Sequence, residues 1–188
     1  MQTKLEQKEK QKITGKVATK TIAILGVLTA LGVICTMPFP YGLTIRFGNS
    51  IKLSFTFLVV ALAARKYGPI AGGVVAGLAD IIQTLVSGYG APNPLICLSG
   101  ILGGVIYGLC LHKKASFTRV LIAVLTKMII CSALITTLAL SLMYGAPFIA
   151  KLIERLPQLL TMTVIEIVVM YVLFVKTNIL VKIKYLDE

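Results

Sequence analysis

Charge is scarce in this 188-residue chain and is missing from long parts of it. No Asp, Glu, Lys or Arg occurs between residues 21 and 45. Three further segments carry one charge each: 67–111 with Asp80, 120–150 with Lys127, and 156–175 with Glu166. Hydrophobic residues make up 57% of the chain, and the mean hydropathy is +0.91. Because about 20 apolar residues cross about 30 Å of hydrocarbon, this composition predicts an all-α integral membrane protein.

Residues that usually build active sites and metal sites are also scarce. There is a single histidine, His112, and the four cysteines lack C-x-x-C spacing. We interpret the cysteines as small apolar residues and expect no disulfide or metal site from them. With one histidine, a His-based metal site or catalytic dyad is not expected either. No Gly-Lys-Ser/Thr sequence forms a phosphate loop, so the chain itself should hydrolyse no ATP. We therefore predict that it is not an enzyme and holds no cofactor.

Proline and glycine clusters divide the apolar sequence into six predicted transmembrane helices. Their approximate bounds are 20–36, 50–64, 69–86, 95–111, 117–143 and 157–176. The intervening sequence YGAPFIAKLIERLP predicts a loop with a short interfacial helix. The second helix is the shortest, so we expect it to pack among its neighbours.

The basic residues indicate how the helices are oriented. An even number of spans places both termini on one side. That side would carry fourteen Lys and Arg, and the opposite side four: Arg46, Lys52, Lys151 and Arg155. Cytoplasmic loops of membrane proteins are enriched in Lys and Arg, so we predict cytoplasmic termini and a multi-pass protein of the cell membrane. The net charge of +12 then reflects the enrichment of Lys and Arg on the cytoplasmic side, and no nucleic-acid partner is expected.

This topology predicts three regions along the chain. Residues 1–20 form a basic cytoplasmic tail that lies on anionic lipid rather than a cleaved signal peptide. Residues 21–180 form the membrane domain, and residues 181–188 form a second cytoplasmic tail.

Small residues at helical spacing predict close helix packing. Gly68, Gly72, Gly73 and Gly77 are spaced to let the third helix approach a neighbour. Gly26 and Ala30 form a small-x-x-x-small motif in the first helix. That motif fits either internal packing or a flat outer face on which a second membrane protein docks.

The three charges inside predicted spans have different expected roles. Asp80 lies about 20 Å along the third helix, in the outer leaflet, and is predicted to contact a ligand or a polar network. Lys127 lies about 12 Å into the fifth helix and could extend to the cytoplasmic headgroups. Glu166, near the middle of the last helix, is interpreted as structural.

Basic residues gather on the predicted outer side, above Asp80. Arg46 and Lys52 precede the second helix, and Arg155 precedes the last one. Each could anchor the protein at the membrane interface, or together they could capture an anionic group. With Asp80 below them, they predict an outward-open cavity for a molecule with a hydrogen-bond-donating end and an anionic end.

Three segments resemble a known family. They are IKLSFTFLVVALAARKYGPIAGGVVAGLADIIQ, LSGILGGVIYGLCLHKK and RLPQLLTMTVIEIVVMYVLF. The combination resembles the substrate-binding S-component of energy-coupling factor (ECF) vitamin transporters, folate family. The resemblance implies six helices with one vitamin bound near the outer surface. It also implies docking through Gly26 and Ala30 onto a transmembrane coupling protein that sits on two ATPase subunits.

A folate-like ligand would suit the predicted charges. Asp80 could accept two parallel hydrogen bonds from a pterin ring, and Lys52 or Arg155 could hold the carboxylates of the tail. Phe55, Phe57 and Tyr89 could stack on the ring. Arg46 and Asn93 complete the predicted substrate-binding set.

Alternatives remain open within and outside this family. The ligand could instead be cobalamin, a queuosine precursor, pantothenate or pyridoxine. A stand-alone channel or secondary carrier would show inverted repeats or a polar pore-lining stripe, and the sequence shows neither.

Overall fold

The structure, a computed structural model, describes residues 2–37, 44–47, 51–86, 93–112 and 116–176. Side chains are described from residue 19 onward within these ranges, except at 45–47, 51–53 and 175. Helices dominate the described residues. They are α1 (Gln2–Thr36), α2 (Thr56–Tyr67), α3 (Pro69–Val86), α4 (Pro94–Leu111), α5 (Phe117–Lys127), α6 (Thr137–Tyr144) and α7 (Phe148–Tyr171).

Two π-helical segments and one hairpin complete the described elements. Residues Met128–Thr136 form a π-helical segment that joins α5 to α6 without a break, and Val172–Lys176 form another after α7. Strands β1 (Ile45–Phe47) and β2 (Ile51–Leu53) pair antiparallel. The hairpin was not predicted from the sequence.

Within the described ranges, five helical spans are long and apolar enough to cross a membrane. They are Thr19–Thr36, Pro69–Val86, Pro94–Leu111, Phe117–Tyr144 and Phe148–Phe174. The predicted third, fourth and fifth helices are confirmed to within a residue at each end. The helical fold class is therefore confirmed, with the hairpin as an addition.

The predicted start of the second helix was wrong. Residues Ile51–Leu53 form β2, and the helix begins only at Thr56. Apolar and charged residues alternate in Ile51-Lys52-Leu53, but three residues are too few for this alternation to indicate a strand. The remaining α2 has 12 residues and is about 18 Å long, too short to cross about 30 Å of hydrocarbon alone.

Helix α2 is buried by its neighbours, as its shortness led us to expect. It packs against α1, α3 and α4, and Ala61, Ala63 and Ala64 have no exposed surface. A short helix enclosed by protein keeps its ends away from lipid, where unpaired backbone groups would be costly.

The predicted start of the last helix at Pro157 was also wrong. Helix α7 begins at Phe148 and continues through Pro157, so the predicted loop and interfacial helix belong to it. Proline removes one backbone hydrogen bond, but membrane helices often tolerate that loss. Arg155, which we expected ahead of the helix, is therefore part of it.

Glycines bring α3 and α4 into backbone contact. A Cβ atom at Gly104 would collide with the backbone of Gly72, and one at Gly108 would collide with Pro69. A Cβ at Gly77 would lie 2.7 Å from Cγ1 of Ile101. The predicted packing role of the small residues in the third helix is confirmed, and the partner is α4.

Hydroxyl groups fix the end of α1 next to the hairpin. The Thr44 hydroxyl donates to the carbonyl oxygens of Cys35 and Thr36, at 2.9 Å each. The Ser54 hydroxyl also donates to the Cys35 carbonyl, at 3.2 Å. The last carbonyls of a helix lack intrahelical partners, so these bonds satisfy them and hold the hairpin against α1.

Candidate functional site

A cavity of about 290 Å³ lies between the ends of α1 and β2 and the helices α2, α3, α4 and α7, with the π-helical segment on one side. All three charges found inside predicted spans line it. The polar lining residues are Thr36, Ser54, Thr56, Asp80, Ser99, Tyr107, Lys127, Ser132, Arg155, Gln158 and Glu166. Apolar residues, among them Phe57, Val60 and Met162, complete the wall. A polar cavity enclosed by apolar helices is suited to binding a small polar molecule.

Asp80 lines the cavity from α3, as the sequence predicted. Its carboxylate lies over Gly100 of α4, where an added Cβ would be 3.1 Å from Oδ2. Any side chain at Gly100 would crowd this carboxylate. Gly100 therefore makes room for Asp80 in the wall.

Lys127 does not extend to the cytoplasmic headgroups, and that interpretation was wrong. Its Nζ donates to Oε1 of Glu166 at 2.5 Å, and Tyr107 donates its hydroxyl to Oε2 at 2.9 Å. The Glu166 side chain is only 5% exposed and that of Lys127 is 23% exposed. An ion pair in a low dielectric is strongly favoured over two separate charges, so Lys127 turns inward to Glu166.

Arg155 reaches the cavity from the second turn of α7. Its guanidinium donates to the Ser132 carbonyl at 3.4 Å and to the Thr137 hydroxyl at 3.2 Å. Thr137 itself donates to the same carbonyl at 3.2 Å. In a π-helix the hydrogen bonds shift to i→i+5, and such segments are frequent at functional sites. Arg155 therefore links α7 to the π-helical segment at the cavity wall.

A chain of hydroxyl groups lines the cavity where α1 meets α2. Thr56 is hydrogen-bonded to both Thr36 and Ser54, at 2.8 Å each. Thr36 in turn donates to the Gly32 carbonyl at 2.6 Å. These neutral groups can rotate to donate or accept, so they add polarity without charge.

Not all of the other predicted site residues line the cavity. Phe55 packs against the core and lies 6.3 Å from Phe57, ring centroid to centroid, but only Phe57 lines the cavity. Asn93 caps α4, where its Oδ1 accepts from the Leu95 amide at 2.9 Å, and it is not a lining residue. Tyr89 lies outside the described residues.

For Arg46 and Lys52 the structure describes the backbone only. They occupy directly opposite positions of the hairpin, in β1 and β2. Strand β2 packs beside α7, which carries Arg155. The three basic residues predicted for the outer rim thus belong to neighbouring elements.

Several lining residues were missed by the sequence analysis. Gln158 and Met162 line the cavity together with Arg155 and Glu166. Their spacing along α7 follows the period of an α-helix, so one face of this helix forms the wall. The same spacing is present in the sequence. Because the helix was predicted to begin at Pro157, Arg155 was not assigned to this face.

A shallow apolar groove lies on the outer surface between α1 and α3. It is lined by Gly26, Thr29, Ala30, Val33, Ile34, Leu78 and Ile82. A Cβ at Gly26 would meet no atom within 4 Å. Among the described residues, Gly26 therefore does not bring two helices of this chain together.

Comparison with known proteins places this architecture in a family. Residues 20–174 match the family described as "ECF transporter, substrate-specific component". The chain belongs to this family. The resemblance noted in the sequence is thereby confirmed, and the protein is a multi-pass membrane component of a transporter.

Two curated relatives and one solved structure are similar to this ECF component. "Folate transporter FolT" of Clostridium novyi (strain NT) is 30% identical over 64% of this chain and 71% of the relative. "Folate transporter FolT" of Leuconostoc mesenteroides is 27% identical over 84% of this chain and 86% of the relative. "Crystal structure of FolT bound with folic acid" has a TM-score of 0.73 and 30% identity, covering 82% of this chain and 92% of that one.

The family is a transporter component and not a class of enzymes. Among the described residues, no group of three or more His, Cys, Asp or Glu side chains could hold a metal ion.

We predict that the Lys127–Glu166 pair behaves as a unit in thermal unfolding. Lys127→Met leaves a buried carboxylate unpaired and should destabilise the protein by about 3–5 kcal/mol. Lys127→Met with Glu166→Gln removes both charges and should recover most of that loss, because a neutral pair needs no counter-charge. Melting curves in detergent would show this, and a double variant as unstable as the single one would contradict it.

Proposed function

We propose that this ECF component binds folate in the cavity around Asp80. The observation that carries the proposal is the cavity itself, which has a carboxylate, an arginine and an aromatic ring in its wall. Its support is the similarity to two folate transporters and to a protein solved with folic acid. Other vitamins are the alternatives that an experiment must exclude.

The pterin ring would bind against Asp80. Its amino-pyrimidinone edge offers two parallel N–H donors, and a carboxylate accepts such a pair in a bidentate arrangement. Phe57 provides an aromatic ring in the same wall, and pterins stack well on aromatic side chains.

The anionic tail would bind towards the hairpin. Arg155 lines the cavity, and β2 packs beside the helix that carries it. Arg46 and Lys52 are directly opposite each other in the hairpin. Like charges at opposite positions of a sheet are destabilising, and a bound carboxylate would relieve that repulsion.

We predict that Asp80→Asn weakens folic acid binding. The substitution keeps the side-chain size but replaces one acceptor with a donor. A hydrogen bond to a charged group contributes about 1.5–3 kcal/mol, so the affinity should fall about 10- to 100-fold. Titration calorimetry on the purified protein measures this, paired with a melting curve. Normal binding by a folded Asp80→Asn variant would show that Asp80 is structural.

Arg155→Ala should weaken binding through the tail carboxylates in the same experiment. The loss should be larger for folic acid than for an analogue whose tail carboxylates are esters or amides. Arg119→Ala is the matched control, because Arg119 is exposed and does not line the cavity. Equal losses for both ligands would mean that Arg155 acts only through its bonds to Ser132 and Thr137.

We also propose that the chain crosses the membrane six times with cytoplasmic termini. The five long spans supply five crossings, and α2 supplies the sixth while enclosed by α1, α3 and α4. The asymmetry of fourteen basic residues against four supports this orientation. Residues 1–20 and 181–188 would then be cytoplasmic tails of the membrane domain 21–180.

Cysteine labelling in a Cys-free background tests this topology. A membrane-impermeant thiol reagent added from outside should label a cysteine placed at exposed Ala150. A cysteine at Lys114 should react only after the cells are opened. Labelling of position 114 from outside would overturn the orientation and, with it, the outward-facing cavity.

We propose that the groove on α1 docks the transmembrane coupling protein that works with two ATPase subunits. Gly26 and Ala30 are both exposed in this groove, and large apolar residues such as Ile22 and Val27 are exposed near them. Small residues let two membrane helices approach closely, which gives packing and van der Waals contact. The groove could hold a helix of the partner in this way.

Gly26→Val should abolish vitamin uptake in cells that contain the partner subunits and leave binding to the isolated chain unchanged. The added side chain meets no atom of this chain but would hold a partner helix away. Gly32→Val is the contrasting variant, because a Cβ there would already lie 3.3 Å from that of Ala79. It should lower stability and binding. Loss of binding by Gly26→Val would show that the groove does not dock a partner.

A further inference from the structure

The proposed contacts with folate do not involve the Lys127–Glu166 ion pair in the cavity wall. Glu166 is nearly buried and accepts from both Lys127 and Tyr107. Lys127 also lines the cavity, and its side chain keeps 23% of its surface exposed. This lysine is therefore accessible to a molecule in the cavity, whereas the carboxylate behind it is already occupied.

The Lys127 ammonium group can donate more hydrogen bonds than the described contacts use. It carries three donors and no acceptor. Among the residues that the structure describes, its single hydrogen bond goes to Glu166, and the Tyr107 ring centroid lies 5.8 Å away. Two N–H groups can therefore be directed to a ligand while the ion pair stays intact.

Charge balance decides which kind of ligand atom Lys127 would bind. Glu166 already neutralises Lys127, so an anion at this point would bring an extra negative charge into a poorly solvated wall. Burying an unpaired charge is costly, whereas a neutral acceptor such as a carbonyl oxygen needs only the hydrogen bond. The pair is thus suited to a neutral acceptor rather than to a carboxylate.

Helix α4 places this donor beside Asp80. The Asp80 carboxylate lies over Gly100, and the Lys127 side chain lies over Gly103, where an added Cβ would be 3.4 Å from Cγ. Positions three residues apart on a helix are neighbours, about 5–6 Å between Cβ atoms. The wall therefore presents an acceptor and a donor about one helical turn apart.

We propose that Lys127, held in place by Glu166 and Tyr107, donates a hydrogen bond to a carbonyl oxygen on the ring of the ligand. Asp80 accepts from the N–H groups of the same ring. This inference rests on the proposed function, because a pterin ring carries both groups on one edge. Lys127 contacts the ligand, and Glu166 and Tyr107 are positioning residues.

A comparison of two ligands tests this assignment. One is folic acid, and the other is its analogue with an amino group in place of the ring carbonyl. The wild-type chain should prefer folic acid by at least about 10-fold, because the analogue turns a donor towards Lys127 and its neighbouring ring nitrogen no longer carries the N–H that Asp80 accepts. Calorimetry on the full-length protein in detergent gives both affinities.

The double variant Lys127→Met with Glu166→Gln should reduce that preference, because it removes the contact of Lys127 and leaves that of Asp80. Its affinity for folic acid should fall by at least about tenfold, whereas its affinity for the amino analogue should change less than about threefold. Lys151→Met with Glu154→Gln is the matched control. That Lys–Glu pair is 2.8 Å apart at the start of α7 and does not line the cavity, so the preference should persist.

Equal losses for the two ligands in the Lys127 double variant would overturn the assignment and leave the pair a structural one. If that variant gives no folded protein, Lys127→Arg keeps both charges and moves the donor. A preference changed by about fivefold or more would then support the proposal, and an unchanged preference would refute it. Failure of the wild-type chain to bind folic acid would instead refute the proposed function.

Discussion

A polar cavity can exist among apolar membrane helices only if the protein satisfies the polar groups that line it. Hydrocarbon offers no hydrogen bonds, so each unpaired charge would cost several kcal/mol. The Lys127–Glu166–Tyr107 cluster meets this constraint by linking α4, α5 and α7 across the cavity. Among the described residues, no buried side-chain nitrogen or oxygen lacks a partner.

Helix α4 organises the site on both of its sides. Gly104 and Gly108 bring its backbone against α3, where any Cβ would collide. Gly100 and Gly103, on the cavity side, leave space for the side chains of Asp80 and Lys127. A helix without these glycines could neither approach α3 so closely nor leave a polar cavity beside it.

The π-helical segment and α7 shape the opposite wall. Arg155 donates to a carbonyl of this segment, so the guanidinium is held rather than free to turn to solvent. An arginine held in this way loses little further rotamer freedom when an anion binds. The same bonds mean that Arg155 supports the wall as well as offering charge to a ligand.

Local patterns in the sequence predicted the helices that have clear ends. A proline is the first residue of both α3 and α4, and the limits of these helices were predicted to within a residue. Three-residue strands are too short to give a periodic signal, so the hairpin was missed. The start of α7 was predicted wrongly at Pro157, because a membrane helix can lose one hydrogen bond and continue.

The site was predictable only in part, because its contacts join distant residues. Asp80 was found because a lone carboxylate inside a span needs a partner or a ligand. The bond between Lys127 and Glu166 joins positions 39 apart, and no local pattern shows it. Each charge was therefore interpreted alone, and the lysine was assigned to the headgroups.

We propose that the cavity around Asp80 and Lys127 selects a pterin-bearing vitamin. Mass spectrometry of the small molecule that remains bound through purification tests this most directly, because it identifies the ligand without assuming one. We expect one folate molecule for each chain. A different vitamin retained in the same cavity, such as cobalamin or pantothenate, would contradict it.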